Sequence, residues 1–200
     1  DLADKYEALV MVDDAHAVGV MGKCGGGTPE HCGVASRVDF VTGTFGKALG
    51  GAGGAFTATR KEAAEYLRNR SRTYLFSNSL DTAVTGVSLF VINYLKSHPE
   101  YRERLWSNTK LFRELMKKNG FTVSDAQHPI TPIMLGDEKN AVEMAKALFD
   151  EGIYVIGFAF PVVPKGKARI RVQISAAHAK EDIETAVVRF TSVGKKFGVI

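Results

Sequence analysis

The chain contains TGTFGKALGGAGG at residues 42–54, overlapping the end of the apolar run VDFVT at residues 38–42. A short apolar run followed by glycines predicts a strand that enters a tight loop. Lys47 is the one basic residue of this loop, and small neighbours leave its amine accessible to a ligand. A desolvated lysine can form a Schiff base with an aldehyde, whereas the alternative is an ordinary surface lysine. The apolar, glycine-rich surroundings of Lys47 favour the first interpretation.

Two nucleotide-binding loops also combine glycines in this way. A P-loop requires glycine, four residues and then Gly-Lys-Ser/Thr. Here Val41 occupies the first position and Ala48 follows the lysine, so two positions disagree. A dinucleotide-binding fingerprint, Gly-x-Gly-x-x-Gly, follows neither the strand predicted at residues 38–42 nor the one predicted at residues 8–13. The loop is therefore predicted to bind something other than a nucleotide.

A second apolar run, ALVMVD at residues 8–13, predicts another buried strand, and DDAH at residues 13–16 follows its apolar part. Ligands of open α/β sheets bind at the carboxyl ends of strands. Alone, the acids and His16 fit a solvated strand end with a hydrogen-bonded histidine. Together with Lys47 they favour pyridoxal phosphate (PLP), an aldehyde cofactor whose ring nitrogen needs a carboxylate partner.

The hydrophobic pattern changes character near His98 and Pro99. Residues before this point predict an α/β fold with a parallel sheet, and residues after it predict a small α+β lobe. Glycines at residues 19–27 predict a loop. Strands are predicted at residues 8–13, 38–42, 55–59, 131–135, 153–158 and 168–175. Helices are predicted at residues 61–70, from a cap at Ser79 or Asp81 to residue 96, from Pro99 to just before Gly120, from a cap at Asp137 to residue 151, and at residues 181–196.

Composition narrows the range of functions. Of the 200 residues, 45% are hydrophobic and 24% are charged, which is typical of a soluble globular protein. The net charge is +4 and the basic residues are scattered along the chain, so we expect no nucleic-acid partner. No apolar run is long enough to span a bilayer, so we expect no membrane partner. Cys24, His31 and Cys32 lack zinc-site spacing, so no metal is expected. The two cysteines could form one bridge, although a reducing compartment is the simpler interpretation.

Four motifs in this order resemble the α-oxoamine synthase family of fold-type I PLP enzymes: DDAH at 13–16, TGTFGKALGG at 42–51, YLFSNSL at 74–80 and ARIRVQISAAH at 168–178. The resemblance covers essentially the whole chain. It implies that residues 1–97 are the C-terminal part of a large PLP-binding domain and that residues 98–200 form a small α+β domain. Further cofactor contacts, including a ring-stacking residue, are then expected upstream of Asp1.

The resemblance assigns the cofactor contacts residue by residue. It implies that Asp13 pairs with the pyridine nitrogen and that His16 hydrogen-bonds the ring hydroxyl oxygen. Thr44 would bind the phosphate. Lys47 would form the Schiff base with the cofactor and later move protons at the substrate α-carbon.

Two further segments receive roles from the same resemblance. Ser77 and the neighbouring Asn78 would reach the phosphate of the other subunit's cofactor, which implies a homodimer with shared active sites. Arg171 would bind the substrate carboxylate. Strand alternation places Arg169 and Arg171 on one face, and the motif favours Arg171, which leaves a surface salt bridge for Arg169. His178 receives no chemical role.

The stretches RSRTYLFSNSL and FPVVPKGKARIRVQISAAH imply an acyltransferase that joins glycine to acetyl-CoA with release of CoA, and the reverse cleavage in threonine breakdown. The same chemistry with another acyl-CoA or amino acid is the nearest alternative. Two further alternatives are a non-catalytic partner subunit of the same fold and a phosphate-binding module without covalent chemistry. The resemblance implies a mitochondrial enzyme in a eukaryote and a cytoplasmic one otherwise.

Overall fold

The computed structural model describes residues 1–200 as two units, Asp1–Pro99 and Glu100–Ile200. In the first unit, three strands are joined by turns and short helices. Its elements are α1 (Leu2–Lys5), β1 (Met11–Asp13), α2 (Thr28–His31), a 3₁₀ helix (Ala35–Arg37), β2 (Phe40–Thr44), β3 (Ala55–Thr59), α3 (Lys61–Arg70), α4 (Arg72–Leu75) and α5 (Thr82–Ser97).

The first sheet has the strand order β1-β2-β3 and is mixed. β1 and β2 are parallel, as predicted, and Asp13 lies opposite Thr42. β3 runs antiparallel to β2, with Ala55 opposite Thr44, where the sequence predicts a parallel sheet. The physical reason is the connection between the two strands: residues 45–54 contain no helix that could carry the chain back for a parallel crossover.

β1 is shorter and more exposed than the sequence predicts. Leu9 and Met11 are 68% and 67% exposed, so the prediction of a buried strand is wrong for this chain. β1 is an edge strand that pairs with β2 on one side, and nothing in its own unit covers these two side chains. An apolar run indicates a strand well, but it carries no information about which element will cover it.

One carboxylate joins the three strands at the start of this sheet. Asp39 Oδ2 accepts the backbone N–H of Val10 at 2.9 Å, and its Oδ1 accepts from Arg60 Nη2 at 2.5 Å. The hydrogen bond from Val10, aided by Arg60, lowers the pKa of Asp39 despite some desolvation. The ionised form therefore stabilises the folded unit above the ordinary aspartate pKa, and this contribution disappears as the pH falls through the lowered value.

The longer helices match their predicted positions because their end signals are strong. Of the two caps considered for α5, Asp81 is the one used, and its carboxylate accepts the N–H of Ala83 at 2.7 Å. The predicted cap Asp137 accepts the N–H of Asn140 at 2.7 Å, and Gly152 follows that helix with a φ of 84°. No helix is both long and apolar enough to cross a membrane.

The second unit is an antiparallel sheet with three helices packed against it. The strand order is β4-β6-β5. Its elements are α6 (Glu100–Lys118), β4 (Ile130–Gly136), α7 (Glu138–Asp150), β5 (Ile156–Phe158), β6 (Ala168–Gln173) and α8 (Lys180–Lys196). In β6 the residues Ala168, Ile170 and Val172 are buried, and the alternate residues are partly or fully exposed. The predicted alternation of this strand is thereby confirmed.

Three aromatic rings form the centre of the second unit. Phe190 of α8 is fully buried, and its ring lies 6.2 Å from those of Phe112 and Phe121, edge-on to both. Edge-to-face pairs add to the free energy gained from burying the rings. The helices α6 and α8 are therefore held together through Phe112 and Phe190.

We expect Phe190→Ala to lower the free energy of unfolding of the second unit by about 3–5 kcal/mol, because it leaves a cavity between two rings that cannot both move inward. Urea denaturation followed by circular dichroism measures this change. Val188→Ala is the matched control on the same helix, since Val188 is 69% exposed and its truncation should change the value by about 0.5 kcal/mol or less. Similar losses in the two variants would contradict this description of the core.

Candidate functional site

Parallel pairing brings the two predicted ligand-binding segments to one edge of the first sheet. β1 ends at Asp13 and β2 ends at Thr44, and the two strands run in the same direction. The ladder continues one residue further, since the N–H of Asp14 donates to the carbonyl of Thr42 at 2.8 Å. Lys47 follows Thr44 by three residues, so it lies in the turn that leaves this same edge.

Asp13 and His16 belong to a tight turn directly after β1. Asp13 Oδ1 accepts the N–H of Ala15 at 3.1 Å, and the carbonyl of Asp14 accepts the N–H groups of Ala17 and Val18 at 2.9 and 3.0 Å. These bonds fix the backbone of the turn. The side chains of Asp13 and His16 are both exposed, so a ligand at the sheet edge can approach them.

Asp14 has a structural role that the sequence argument does not assign. Its side chain is 1% exposed, and both carboxylate oxygens accept the N–H of Thr28, at 3.1 and 3.0 Å. A Cβ atom on Gly27 would lie 1.7 Å from Asp14 Oδ2, and Gly27 has a φ of 92°. Asp14 therefore fastens the turn that carries Asp13 and His16 to the end of the glycine-rich loop. Alternation along β1 is the signal that could have revealed it, since neighbouring acids face opposite ways.

The glycine-rich loop is organised by Glu30. Its two carboxylate oxygens accept the N–H groups of Cys24 at 2.8 Å and Gly26 at 2.6 Å. Cys24 and Cys32 are exposed and are not bonded to each other. No group of three or more His, Cys, Asp or Glu side chains is arranged to hold a metal ion. The carboxylate of Glu30 thus stabilises the backbone of the glycine-rich loop.

The turn around Lys47 is closed by backbone hydrogen bonds. The N–H of Gly51 donates to the carbonyl of Phe45 at 2.7 Å, and the N–H of Gly50 donates to the carbonyl of Lys47 at 3.1 Å. The Lys47 side chain is exposed, so the expectation of a desolvated lysine is wrong within this chain. The flanking residues Gly46 and Ala48 explain this exposure, because a hydrogen atom and a methyl group are too small to cover the amine.

Thr44 provides a test of whether these residues fit the predicted cofactor. Its Oγ1 is buried and has no hydrogen-bond partner. A buried hydroxyl without a partner costs about 1–3 kcal/mol, so native structures rarely retain one unless a ligand or water satisfies it. A phosphate oxygen would supply the missing acceptor. With a carboxylate and a primary amine at the same sheet edge, the residues present fit PLP.

Ser77 and Asn78 are not brought into this cluster by the structure. They lie in the exposed segment between α4 and α5, next to Phe76, which is 80% exposed. Neither side chain makes a hydrogen bond to Asp13, Thr44 or Lys47. Their predicted role in another subunit's site stays a prediction.

Arg171 lies in the second unit, on the exposed face of the central strand β6. Its Cζ is 4.7 Å from the ring centroid of Phe158 in β5, and its guanidinium makes no hydrogen bond or ion pair with the protein. Arg169 differs, because its Nε donates to the carbonyl of Lys167 at 3.0 Å and the predicted salt bridge is absent. Of the two arginines, Arg171 is the one whose N–H donors are all available to a ligand.

The loop after β6 is held by a buried amide that the sequence argument does not mention. Asn108 Nδ2 donates to the carbonyls of Ser175 and His178, at 3.0 and 2.9 Å. His178 Nδ1 accepts the N–H of Ser175 at 3.2 Å. His178 therefore helps to form the loop, and its Nδ1 is occupied by that hydrogen bond. The sequence signal that could have revealed Asn108 is its helical spacing from Leu105 and Phe112, which places an amide on the apolar face of α6.

Comparison with known proteins decides the family. The family model described as aminotransferase class I and II matches residues 1–190. The chain belongs to the aminotransferase class I and II family. Among curated members, it is 58% identical over 200 residues to 2-amino-3-ketobutyrate coenzyme A ligase of Escherichia coli K12. It is 48% identical over 199 residues to the mitochondrial enzyme of that name from Mus musculus, and 48% identical over 200 residues to 8-amino-7-oxononanoate synthase of Thermosipho melanesiensis.

These alignments cover the whole of this chain and 50%, 48% and 51% of the three relatives, so the chain spans about half the length of the curated relatives it matches. Among solved structures, serine palmitoyltransferase of S. paucimobilis with a bound PLP–myriocin adduct has a TM-score of 0.92 at 35% identity, covering all of this chain and 50% of that one. For 8-amino-7-oxononanoate synthase of Francisella tularensis, the TM-score is 0.81 at 28% identity, covering 95% of this chain and 56% of that one.

The comparisons confirm several predictions. The resemblance to α-oxoamine synthases is confirmed by the family match and by the 58% identity to 2-amino-3-ketobutyrate coenzyme A ligase over the whole chain. The fold-type I assignment is confirmed by the two structural neighbours. PLP is confirmed as the cofactor of this fold by the family match and by neighbours that contain it.

We expect Gly27→Ala to destabilise the holoenzyme and to weaken its retention of PLP, because the new Cβ displaces the Asp14 carboxylate that holds the Asp13–His16 turn. Thermal unfolding and dialysis against cofactor-free buffer measure the two effects. Gly33→Ala is the control: its φ is 68°, but nothing lies within 4 Å of the added Cβ. It should cost about 1–2 kcal/mol from backbone strain alone, with PLP retention intact. Equal loss of PLP from both variants would contradict the role given to Asp14.

Proposed function

We propose that this chain is the part of a PLP-dependent glycine C-acetyltransferase that holds the cofactor's lysine and the substrate's carboxylate. The enzyme joins glycine and acetyl-CoA to give 2-amino-3-ketobutyrate and CoA, and it catalyses the reverse cleavage in threonine breakdown. One observation supports this most directly: the buried, unpartnered hydroxyl of Thr44 lies at the sheet edge that also carries Asp13 and Lys47. The 58% identity to an enzyme named for this product supports the choice of substrates.

In the proposed mechanism, bound PLP serves as an electron sink that stabilises negative charge on the glycine α-carbon. The Asp13 carboxylate would keep a proton on the ring nitrogen. His16 would hydrogen-bond the ring hydroxyl oxygen, and Thr44 Oγ1 would donate to the phosphate. Lys47 Nζ would hold the cofactor until glycine displaces it, and the freed amine would then accept the proton from the glycine α-carbon.

Arg171 is proposed to bind the carboxylate of glycine. A guanidinium presents two parallel N–H donors to a carboxylate, which fixes orientation as well as position. All N–H donors of Arg171 are available, whereas Arg169 uses its Nε on the carbonyl of Lys167. A fixed carboxylate would in turn restrict the orientation of the glycine α-carbon.

We also propose that the active protein is a homodimer with shared sites, to which Ser77 and Asn78 of one subunit contribute at the other subunit's phosphate. Supporting this, these residues lie in an exposed segment between helices. The first unit also leaves many large apolar side chains uncovered, among them Phe76 at 80% and Phe90 at 66% exposed. The first unit would be the C-terminal part of the large PLP-binding domain, and the second unit would be the small domain.

A second candidate is the same condensation with a longer acyl-CoA or another small amino acid. The 48% identity to an 8-amino-7-oxononanoate synthase favours this alternative over unrelated activities. For the compartment, relatives from mouse and human are named as mitochondrial enzymes. We propose the mitochondrion if the source is eukaryotic, and the cytoplasm if it is bacterial.

We expect Lys47→Ala in the full-length protein to abolish both the covalent attachment of PLP and more than 99% of activity, because no other amine takes its place in the turn after β2. Borohydride reduction followed by peptide mass spectrometry should find the cofactor on the Lys47 peptide of the unaltered protein and on no peptide of the variant. Lys23→Ala, a change to an exposed lysine of the glycine-rich loop, is the control and should retain the labelled peptide.

The same preparation tests the choice of substrates. Release of CoA should require glycine and acetyl-CoA together, and longer acyl-CoA thioesters or other amino acids should give much lower rates. Normal turnover by Lys47→Ala would overturn the role of the lysine. A labelled Lys47 with faster release from a longer acyl-CoA would instead favour the second candidate.

We expect Arg171→Lys to raise the KM for glycine about tenfold or more, because lysine keeps the charge but loses the two-pronged geometry. A charge-assisted hydrogen bond contributes roughly 1.5–3 kcal/mol, which corresponds to at least that factor. Arg169→Lys is the matched control and should change the KM little. Steady-state titration of each substrate measures both variants. Equal effects of the two, or an effect confined to acetyl-CoA, would show that Arg171 does not bind the carboxylate.

A further inference from the structure

The guanidinium of Arg171 has a single side-chain partner, the ring of Phe158. The two residues lie on neighbouring antiparallel strands, in which Phe158 is directly opposite Arg169 and Ile156 is directly opposite Arg171. Phe158 and Arg171 are therefore diagonal neighbours, a separation that an aromatic ring and a long side chain can bridge. The distance of 4.7 Å from Cζ to the ring centroid is within the range of a cation–π contact.

Phe158 contacts the diagonal arginine, whereas the directly opposite one, Arg169, is bonded elsewhere. The Nε of Arg169 donates to the carbonyl of Lys167, two residues back on its own strand. Arg171 has no such bond and no acidic partner. The attraction to a ring involves the charge of the guanidinium and uses none of its N–H donors on another acceptor. A ring can thus restrain Arg171 while leaving all its donors for a ligand, which a carboxylate partner could not do.

We infer that Phe158 is a positioning residue that sets the glycine affinity of this enzyme by holding the Arg171 guanidinium ready for the substrate carboxylate. This inference rests on the proposed role of Arg171. The reason is entropic: an arginine side chain loses rotamer freedom when it binds a ligand, and any part already lost before glycine arrives does not weaken binding. Removing the ring should therefore weaken the binding of carboxylate-bearing ligands and leave other steps unchanged.

The experiment compares Phe158→Leu with Phe158→Tyr in the full-length holoenzyme. The change in cofactor absorbance on adding glycine gives a dissociation constant that does not depend on turnover. Leucine keeps the apolar contact and loses the ring face, so we expect the dissociation constant and KM for glycine to rise about three- to tenfold. Tyrosine retains the ring and should stay within about twofold. The KM for acetyl-CoA, the kcat at saturating glycine and the binding of methylamine, which lacks a carboxylate, should not change.

Phe149→Leu is the matched control. Phe149 is an exposed ring of the same unit whose contact is with Tyr154 rather than with an arginine, so its loss should not affect glycine. If Phe158→Leu fails to fold, Phe158→Met replaces it, since methionine also lacks the ring face. A lower thermal midpoint with unchanged glycine affinity would assign Phe158 a packing role only and would overturn the inference.

The variants of Arg171 separate this inference from the proposed function. In an Arg171→Gln background, Phe158→Leu should cause no further loss of glycine affinity, because the two changes remove one interaction. If Arg171→Gln itself leaves glycine binding unchanged, the proposed carboxylate role fails. If Arg171→Gln weakens glycine binding while Phe158→Leu does not, that role stands and the inference about Phe158 is overturned.

Discussion

The parallel pairing of β1 with β2 is the constraint on which the candidate site depends. It places Asp13 opposite Thr42, so that the turn after one strand and the turn after the other leave the same edge of the sheet. Each turn is then fixed by its own backbone hydrogen bonds. The buried carboxylate of Asp14 secures the first turn to the glycine-rich loop by accepting the N–H of Thr28. The loop can approach this carboxylate closely because Gly27 has no side chain. This pairing places the acid and the lysine at the same end of the sheet, although residues 14–46 lie between them in the sequence.

The sequence predicted elements well where local chemistry decides them. The limits of α3 and β3 agree with the prediction, and Asp81 and Asp137 act as caps because their carboxylates reach N–H groups two or three residues away. The order of the motifs also identified the family. The direction of β3 and the exposure of Lys47 were predicted wrongly, although both follow from the short glycine-rich connection of residues 45–54, which has no helix and only small side chains beside Lys47. The exposure of Met11 has a different cause, because a linear pattern does not show which element will cover a strand.

The same distinction applies to the residues that support the site. Asp14 and Asn108 are polar side chains whose partners, Thr28 and the loop after β6, are distant in sequence. Phe158 is similar, since its relation to Arg171 follows from the pairing of β5 with β6. Residues that carry reactive groups can be recognised from motifs. The partners of residues that hold those groups in place become known only when the elements have been placed beside one another.

Alternation along β6 separates two tasks within a single strand. Ala168, Ile170 and Val172 face the aromatic core, and Arg169 and Arg171 face the opposite way. Under the proposed role of Arg171, substitutions on that second face would change ligand preference without removing atoms from the core, so they would cost little stability. A descendant of this protein could therefore acquire a different substrate through a few exposed positions of β6 and its neighbour β5. Divergence within the family would then proceed by exchanging one face of a strand while the other face keeps the fold.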